Sequence, residues 1–227
     1  PIPNGVCVSR RLFDWALTRE AVAAGVTFRP GMSASLIGTD DAWRFVRLTH
    51  GSSVETVATR LVIAANGLDG RLLSNEPALT PIVVRHARIG AAVICDDVPD
   101  AYEPGQIYMA CDTGGYVGLV RLEDNRLNIA TAMDPNFIKR TGGPGRAATK
   151  ILDHVGLAPI SQLIQRPWQG TPPLTRRRPF LGSHRLLVVG DAAGYVEPFT
   201  GEGMAWALAS AEAVLPYASS YVPGPQI

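Results

Sequence analysis

Long apolar runs are missing from the 227-residue sequence, and their absence excludes one class of protein. A helix needs about 18 consecutive apolar residues to cross a bilayer. The longest clean run, Ile89 to Cys95, is far shorter and is typical of a buried strand. We therefore expect no integral membrane segment.

The sequence also has few cysteines and no block of positive charge. Its three cysteines are Cys7, Cys95 and Cys111, an odd number without CxxC spacing, which indicates neither a disulfide framework nor a zinc site. With 21 Lys and Arg against 20 Asp and Glu, it lacks the clustered basic residues that bind phosphate backbones. The short run Arg176 to Arg178 is typical of a solvated basic loop. We expect no nucleic-acid partner.

The first residues offer no secretory signal, because no charged segment is followed by an apolar one. Together with the unpaired cysteines, this favours a cytoplasmic protein. The sequence begins at Pro1 rather than at a methionine, so we expect that an upstream piece is missing.

Hydrophobic periodicity predicts an alternation of helices and strands. Ser9 is placed to cap a helix that stops at Gly25, and we expect this helix to pack on a sheet. Two short runs, Leu61 to Ala65 and Leu186 to Val189, are continuously apolar, as expected for strands that are buried on both faces of a parallel sheet. The other predicted strands are 26–28, 32–37, 43–48, 54–59, 83–95, 106–109, 116–121 and 126–132, with helices at 146–155 and 203–215 and an irregular segment at 170–179.

This order predicts an α/β fold in which one domain is inserted into the sequence of another. The strands between residues 80 and 133 form one antiparallel block, with Asp124-Asn125 as a hairpin turn. We expect residues 1–79 and 170–227 to form one domain and residues 80–169 to form an inserted β-sheet domain that binds the substrate.

The most informative segment runs from Leu186 to Met204. A buried strand delivers Gly190-Asp191 to its carboxyl end, where ligands bind in open α/β sheets and where a carboxylate can accept bonds from ribose hydroxyls. Gly201 and Gly203 then open a helix whose free N–H groups favour an anion. A plain strand-turn-helix with a capping Asp and a glycine bend explains the same residues, since such turns are common.

The run from Gly190 to Gly203 resembles the GD-x-A-G-x-x-x-P-x-x-G-x-G motif of FAD-dependent monooxygenases, geranylgeranyl reductases and flavin-dependent halogenases. Two further segments agree in order: Arg10 to Leu17 resembles the helix before the central region, and Leu61 to Gly67 resembles the strand ending in A-D-G. The resemblance implies a Rossmann-like (GR2-type) FAD-binding domain and FAD as cofactor. The cofactor-binding residues that it implies are Arg10, Asn66, Gly67, Gly190, Asp191, Ala192, Pro198, Gly201, Gly203 and Met204.

Within that set, the resemblance places Asp191 on the FAD ribose, Gly201 and Gly203 against the flavin ring and pyrophosphate, and Arg10 near the pyrophosphate. Asn66 stands where the family has Asp, which puts in doubt any role that needs the charge; a tight turn explains Asn66-Gly67 equally well.

One family feature is absent from the sequence. The family begins with a GxGxxG turn that cradles the pyrophosphate, and the similar run Gly143 to Ala148 does not follow a buried strand because residues 136–142 are polar. We therefore expect the FAD-binding domain to be incomplete at its N-terminus, with a βαβ unit of roughly 30 residues missing before Pro1.

The resemblance implies an NAD(P)H-dependent oxidoreductase, either a monooxygenase or a C=C reductase, that acts on an apolar small molecule. Halogenation is disfavoured, because the strand Tyr116 to Arg121 lacks the W-x-W-x-I-P run of halogenases. The same strand also lacks the Y-x-W-x-F-P run that is typical of prenyl reductases. Two alternatives stay open: a truncated, non-catalytic flavoprotein fragment, and a flavoprotein with non-redox FAD, as in the lycopene cyclases. No catalytic acid, base or metal ligand is evident.

Overall fold

The computed structural model describes residues 8–197, 199 and 201–221. Short 3-10 turns lie at Arg71–Leu73, Pro77–Leu79 and Gly190–Ala192. In chain order the helices and strands are α1 Arg10–Ala23, β1 Ser33–Thr39, β2 Arg44–His50, β3 Ser53–Thr59, β4 Val62–Ala64, β5 Ile82–Val83, β6 Ile89–Cys95, β7 Ile107–Asp112, β8 Gly115–Arg121, β9 Leu127–Met133, α2 Pro135–Thr141, α3 Pro144–His154, β10 Gln169–Pro173, β11 Arg176–Arg177, β12 Gly182–Ser183, β13 Leu186–Val188, β14 Gly194–Tyr195, α4 Gly203–Ala213 and α5 Leu215–Ser219.

The chain divides into two compact units. The central-sheet unit contains the described residues up to Phe28 and the segment Arg88–Pro173. The parallel-strand unit contains Arg29–Ala87 and the described residues from Leu174 onward. Each unit has its own buried apolar cluster.

The central-sheet unit is built on a five-stranded antiparallel sheet in the order β10-β6-β9-β8-β7. Side chains that alternate along the strands point to one face, where Val117, Leu119 and Ile129 are buried. Helix α3 covers this face with Ala148 and Ile151. Asn125, in the left-handed region at φ 64°, makes the predicted hairpin turn between β8 and β9.

The parallel-strand unit contains three small sheets. Strands β1, β2 and β3 form the predicted antiparallel meander. Strands β4 and β13 pair in parallel, with Val62 opposite Leu186 and Ala64 opposite Val188, and β12 flanks β13. Strands β5, β11 and β14 form the third sheet. The shared core joins the meander to the parallel pair through side chains that include Leu36 and Val188.

Helix α1 begins and ends where the sequence predicts. The Ser9 hydroxyl accepts a hydrogen bond from the Leu12 N–H, and Gly25 follows in the left-handed conformation at φ 93°. The expected packing on a sheet is wrong, because no residue of α1 is buried. Apolar side chains lie on several sides of the helix, since Trp15 and Leu17 are about 160° apart around its axis and both are exposed.

Four other expectations need correction. Residues 26–28 form no strand, and the run 83–95 is broken at His86, which has φ 63°, so that β5 and β6 join different sheets. The long helix stops at Ala213 and resumes as α5. Strand β4 is not buried on both faces, because Ile63 is 43% exposed.

The segment 170–179 is not irregular, and this changes how the chain divides. Strand β10 pairs with β6 and therefore belongs to the central sheet, which extends to Pro173 rather than to residue 169. Residues 8–28 group with the central sheet rather than with residues 29–79, and the Ser9 N–H donates to the Glu123 carboxylate at 3.2 Å. The functional domain boundaries at 79 and 169 stay a prediction.

The structure predicts that replacing Gly115 by any residue with a Cβ lowers the free energy of unfolding. A Cβ on Gly115 would lie 2.3 Å from the Ala132 carbonyl oxygen, and its φ is +137°. We expect Gly115→Ala to lower the free energy of unfolding by about 3 kcal/mol or more. Gly105, at φ +76° with open space around it, is the matched control, and Gly105→Ala should cost about 1 kcal/mol. Urea unfolding of both variants checks this; equal midpoints would contradict it.

Candidate functional site

The parallel pairing of β4 and β13 brings two sequence motifs to one edge of their sheet. The Val189 N–H donates to the Ala64 carbonyl at 3.0 Å, so the two strands end side by side. Asn66-Gly67 follows β4 and Gly190-Asp191 follows β13. The carboxyl ends of parallel strands are where open α/β sheets bind their ligands, so this edge is the candidate site.

Gly190 makes the turn at the end of β13. Its φ of +59° lies in the left-handed region, which a glycine adopts without the cost of a Cβ. The Ala193 N–H closes the following 3-10 turn onto the Gly190 carbonyl at 2.9 Å. Ala192 is buried in the core, and Asp191, beside it, is half-buried at the edge of the sheet.

Tyr195 is a neighbour of Asp191 that sequence reasoning missed. Burial, together with the negative charges of Asp191 and Glu197, raises the pKa of the Tyr195 phenol to about 12. The phenol therefore stays protonated over the physiological range. No sequence pattern marked this residue, because the effect depends on how β14 folds back beside the turn.

Helix α4 begins just after the second glycine turn. Gly201 has φ +88° and open space at its Cβ position, and Glu202 precedes the first helical residue. The first N–H groups of a helix have no partner within it and carry its positive dipole end. Gly203 and Met204 are half-buried in this first turn. Pro198, which the motif also implicates, lies outside the described residues.

A side chain of α4 fixes the turn at Gly190. The Ser210 hydroxyl accepts a hydrogen bond from the Gly190 N–H at 2.8 Å and donates to the Ala207 carbonyl at 2.8 Å. This hydroxyl therefore links the strand-end motif to the helix that follows it. No pattern in the sequence indicated this role for Ser210.

The sequence predicted that the arginine run 176–178 forms a solvated loop. The structure shows a run that is only partly exposed. Arg177 is exposed, whereas Arg176 and Arg178 are half-buried. The Arg176 guanidinium donates to the Leu68 carbonyl at 3.2 Å, and Arg178 donates to the carbonyls of Leu79 and Ala192. Burial lowers the pKa of both guanidinium groups.

Three further residues that the resemblance implicates are Asn66, Gly67 and Arg10. Asn66 is exposed and Gly67 is half-buried, with φ +68° and nothing near its Cβ position. Arg10 belongs to the central-sheet unit and pairs with Asp14 at 3.0 Å on the exposed side of α1. Contact of Arg10 with a pyrophosphate stays a prediction.

The fold is that of an α/β protein in which two parallel strands end at the same edge of their sheet. The family model described as FAD dependent oxidoreductase matches residues 2–215. The chain therefore belongs to the FAD dependent oxidoreductase family.

Curated relatives agree with this membership. The chain is 28% identical over 219 residues to digeranylgeranylglycerophospholipid reductase 1 of Methanopyrus kandleri, covering 90% of this chain and 55% of the relative. It is 26% identical to the digeranylgeranylglycerophospholipid reductase of Methanosarcina acetivorans, covering 88% and 49%. The chain spans about half the length of the curated relatives it matches.

Solved structures show the same fold. The flavin-dependent halogenase CmlS matches with a TM-score of 0.74 at 20% identity, covering 97% of this chain and 42% of the halogenase. A flavoprotein/dehydrogenase from Cytophaga hutchinsonii matches with a TM-score of 0.76 at 14% identity, covering 97% and 56%. These likenesses confirm the FAD-binding α/β fold with an antiparallel sheet.

Two further findings concern the residues that the structure describes. No helix in them is long and apolar enough to cross a membrane. No group of three or more His, Cys, Asp or Glu in the same residues is placed to hold a metal ion.

The Ser210 bond predicts a measurable loss of stability. Ser210→Ala leaves the part-buried Gly190 N–H without its acceptor, so we expect the free energy of unfolding to fall by about 1 kcal/mol. Ser219, whose hydroxyl bonds only to the Leu215 carbonyl within an exposed helix, is the matched control, and Ser219→Ala should change little. Urea unfolding of the two variants tests this prediction. Equal losses in the free energy of unfolding would contradict the role of Ser210.

The raised pKa of Tyr195 predicts a pH effect in the alkaline range. An unfolded tyrosine loses its proton near pH 10, and the folded Tyr195 does so at about 12. Between these values the unfolded state binds fewer protons, so the free energy of unfolding falls as pH rises. Tyr195→Phe should make this fall less steep.

The control for this effect is Tyr217→Phe, since Tyr217 is 66% exposed. Urea unfolding between pH 9 and about 11.5 compares the two variants with the parent chain. The same slope in Tyr195→Phe and in the parent would show that Tyr195 does not titrate as described.

Proposed function

We propose that the protein is an FAD-dependent oxidoreductase that takes electrons from NAD(P)H and reduces C=C bonds in an apolar small molecule. The observation that carries this proposal is the meeting of Asn66-Gly67 and Gly190-Asp191 at the carboxyl edge of the β4–β13 pair. Membership of the FAD dependent oxidoreductase family supports the choice of cofactor.

The donors and acceptors at this edge fit FAD. A carboxylate at Asp191 suits ribose hydroxyls, and the open space at Gly201 suits close approach of a ring or a phosphate. The first N–H groups of a helix such as α4 suit an anionic group. We propose that Gly190, Ala192, Pro198, Gly203, Met204, Asn66, Gly67 and Arg10 complete the binding residues.

When bound, FAD supplies hydride transfer, which no side chain of this chain provides. The contribution of the protein is orientation and electrostatics. The start of α4 favours negative charge near it through the helix dipole, and the protonated Tyr195 adds no charge to the edge. Asp191 holds the cofactor by accepting hydrogen bonds.

The residues on the second face of the central sheet favour an apolar substrate. Opposite the face that α3 covers, Ala92, Ala130, Gly118 and Met109 stand in one row across four strands. A Cβ on Gly118 would lie 3.1 Å from the Met109 sulfur, so the methionine fills the space beside it. We propose that this small, apolar face lies against the substrate.

Four large side chains of β7 and β8 divide between the two faces of the central sheet. Tyr116 and Met109 alternate onto the small, apolar face. Leu119 is 1% exposed in the core. Tyr108 packs edge-on against Tyr102 at 5.2 Å, and its hydroxyl accepts from the Glu103 N–H. Core packing therefore accounts for Leu119 and Tyr108.

Reduction is preferred to hydroxylation because the curated relatives are named as reductases of a lipid with unsaturated isoprenoid chains. Each reduced double bond gains a hydride, which originates from NAD(P)H, and a proton from solvent. We accordingly propose an isoprenoid or similar polyunsaturated lipid as the substrate class.

Cofactor binding is tested on the full product of the gene. Asp191→Asn removes a charged acceptor, so we expect the Kd for FAD to rise at least about tenfold, measured by quenching of flavin fluorescence. Glu212→Gln makes the same chemical change on the outer side of α4, where Glu212 is exposed, and should bind FAD as the parent does. A parent protein that binds no FAD would overturn the proposed function.

The reaction is tested with the FAD-loaded parent protein and a geranylgeranyl lipid. Under anaerobic conditions with NADPH or NADH, mass spectrometry should show the gain of two hydrogens per double bond. Product that forms only in air and carries an added oxygen would indicate a monooxygenase instead. Bound FAD without any NAD(P)H oxidation would favour the non-redox alternative.

A further inference from the structure

The guanidinium of Arg178 joins two stretches of backbone that lie far apart along the chain. It donates to the carbonyl of Leu79, at the end of the 3-10 turn Pro77–Leu79, and to the carbonyl of Ala192, at the end of the turn Gly190–Ala192. Both acceptors belong to residues that are buried in the same cluster. One side chain therefore ties the Asp191 turn to a segment more than a hundred positions earlier.

The geometry of the side chain suits this task. A guanidinium presents five N–H donors in a rigid planar fork, so that Nε and a terminal nitrogen can serve two acceptors at once. Nε of Arg178 binds the Ala192 carbonyl and one terminal nitrogen binds the Leu79 carbonyl. The other terminal nitrogen lies 3.0 Å from where a Cβ on Gly70 would stand, so the segment after β4 closes around the same group.

The neighbouring arginine strengthens this arrangement. Arg176 binds the Leu68 carbonyl at 3.2 Å, on the segment that follows Asn66-Gly67. It also pairs with Tyr195 across β11 and β14. The two arginines therefore hold the segments that follow β4 and β13, and Arg178 contacts the Asp191 turn through the Ala192 carbonyl.

We propose that Arg178 is a positioning residue for the cofactor site, which sets the place of Asp191 by holding the Ala192 and Leu79 carbonyls. The inference rests on the proposed function, because it assumes that Asp191 binds FAD. Arg178 itself is assigned no contact with the cofactor. Its contribution is to keep the turn in the one conformation that presents Asp191 at the edge of the sheet.

The test uses Arg178→Gln, Arg178→Lys and the control Arg177→Gln in the full product of the gene. Arg177 loses the same charge one position away, but its side chain is exposed. The Kd for FAD is measured well below the melting temperature of each variant, where essentially all of the protein is folded. A residue that only stabilises the fold lowers the melting temperature and leaves this Kd unchanged.

We expect Arg178→Gln to raise the Kd for FAD about tenfold, and Arg177→Gln to leave it unchanged. Arg178→Lys keeps the charge without the planar fork and should raise the Kd about threefold. If Arg178→Gln does not fold, the Kd of Arg178→Lys for FAD tests the inference. A Kd in the Arg178 variants equal to that of Arg177→Gln would overturn the inference while leaving the proposed function intact, whereas a parent that binds no FAD would overturn both.

Discussion

The parallel pairing of β4 with β13 is the constraint on which the candidate site depends. Three residues from each strand are in register, and the next N–H along, that of Val189, continues the ladder to Ala64. Because both strands run the same way, the segments after their last residues emerge at the same edge. A slip in this register would separate Asp191 from Asn66 and Gly67 and would turn the buried Val188 away from the core.

Polar contacts around the β4–β13 pair fix the turn that follows β13. Burial of Ala64, Leu186 and Val188 stabilises the strands but does not define the turn after them. That turn is set by a left-handed glycine, by a serine hydroxyl from α4 and by the Arg178 guanidinium. Hydrogen bonds in partly buried surroundings are costly to leave unmade, which stabilises the turn in this conformation.

Local features of the fold could be predicted from the sequence, because the residues that cause them are adjacent. The limits of α1 follow from Ser9 and Gly25, and the meander and the β8–β9 hairpin follow from alternation and from Asp124-Asn125. The run Gly190 to Gly203, together with the agreement in order of Arg10 to Leu17 and Leu61 to Gly67, was enough to identify the family. Local sequence patterns could not predict the contacts between distant segments. Nothing near Arg178 in the sequence indicates that its partners are the carbonyls of Leu79 and Ala192. Burial also depends on contacts between distant segments, so the apolar residues of β4 and α1 predicted more burial of Ile63 and of α1 than the structure shows.

The separation of the paired strands along the chain has a consequence for biosynthesis. Val62 pairs with Leu186, and at ribosomal elongation rates the roughly 120 intervening residues take about 6 to 24 seconds to make. The central sheet and α3 are encoded almost entirely within that interval, and their contacts can form as soon as the segment leaves the ribosome. During that time β13, which pairs with β4 in the described part of the chain, has not yet been made.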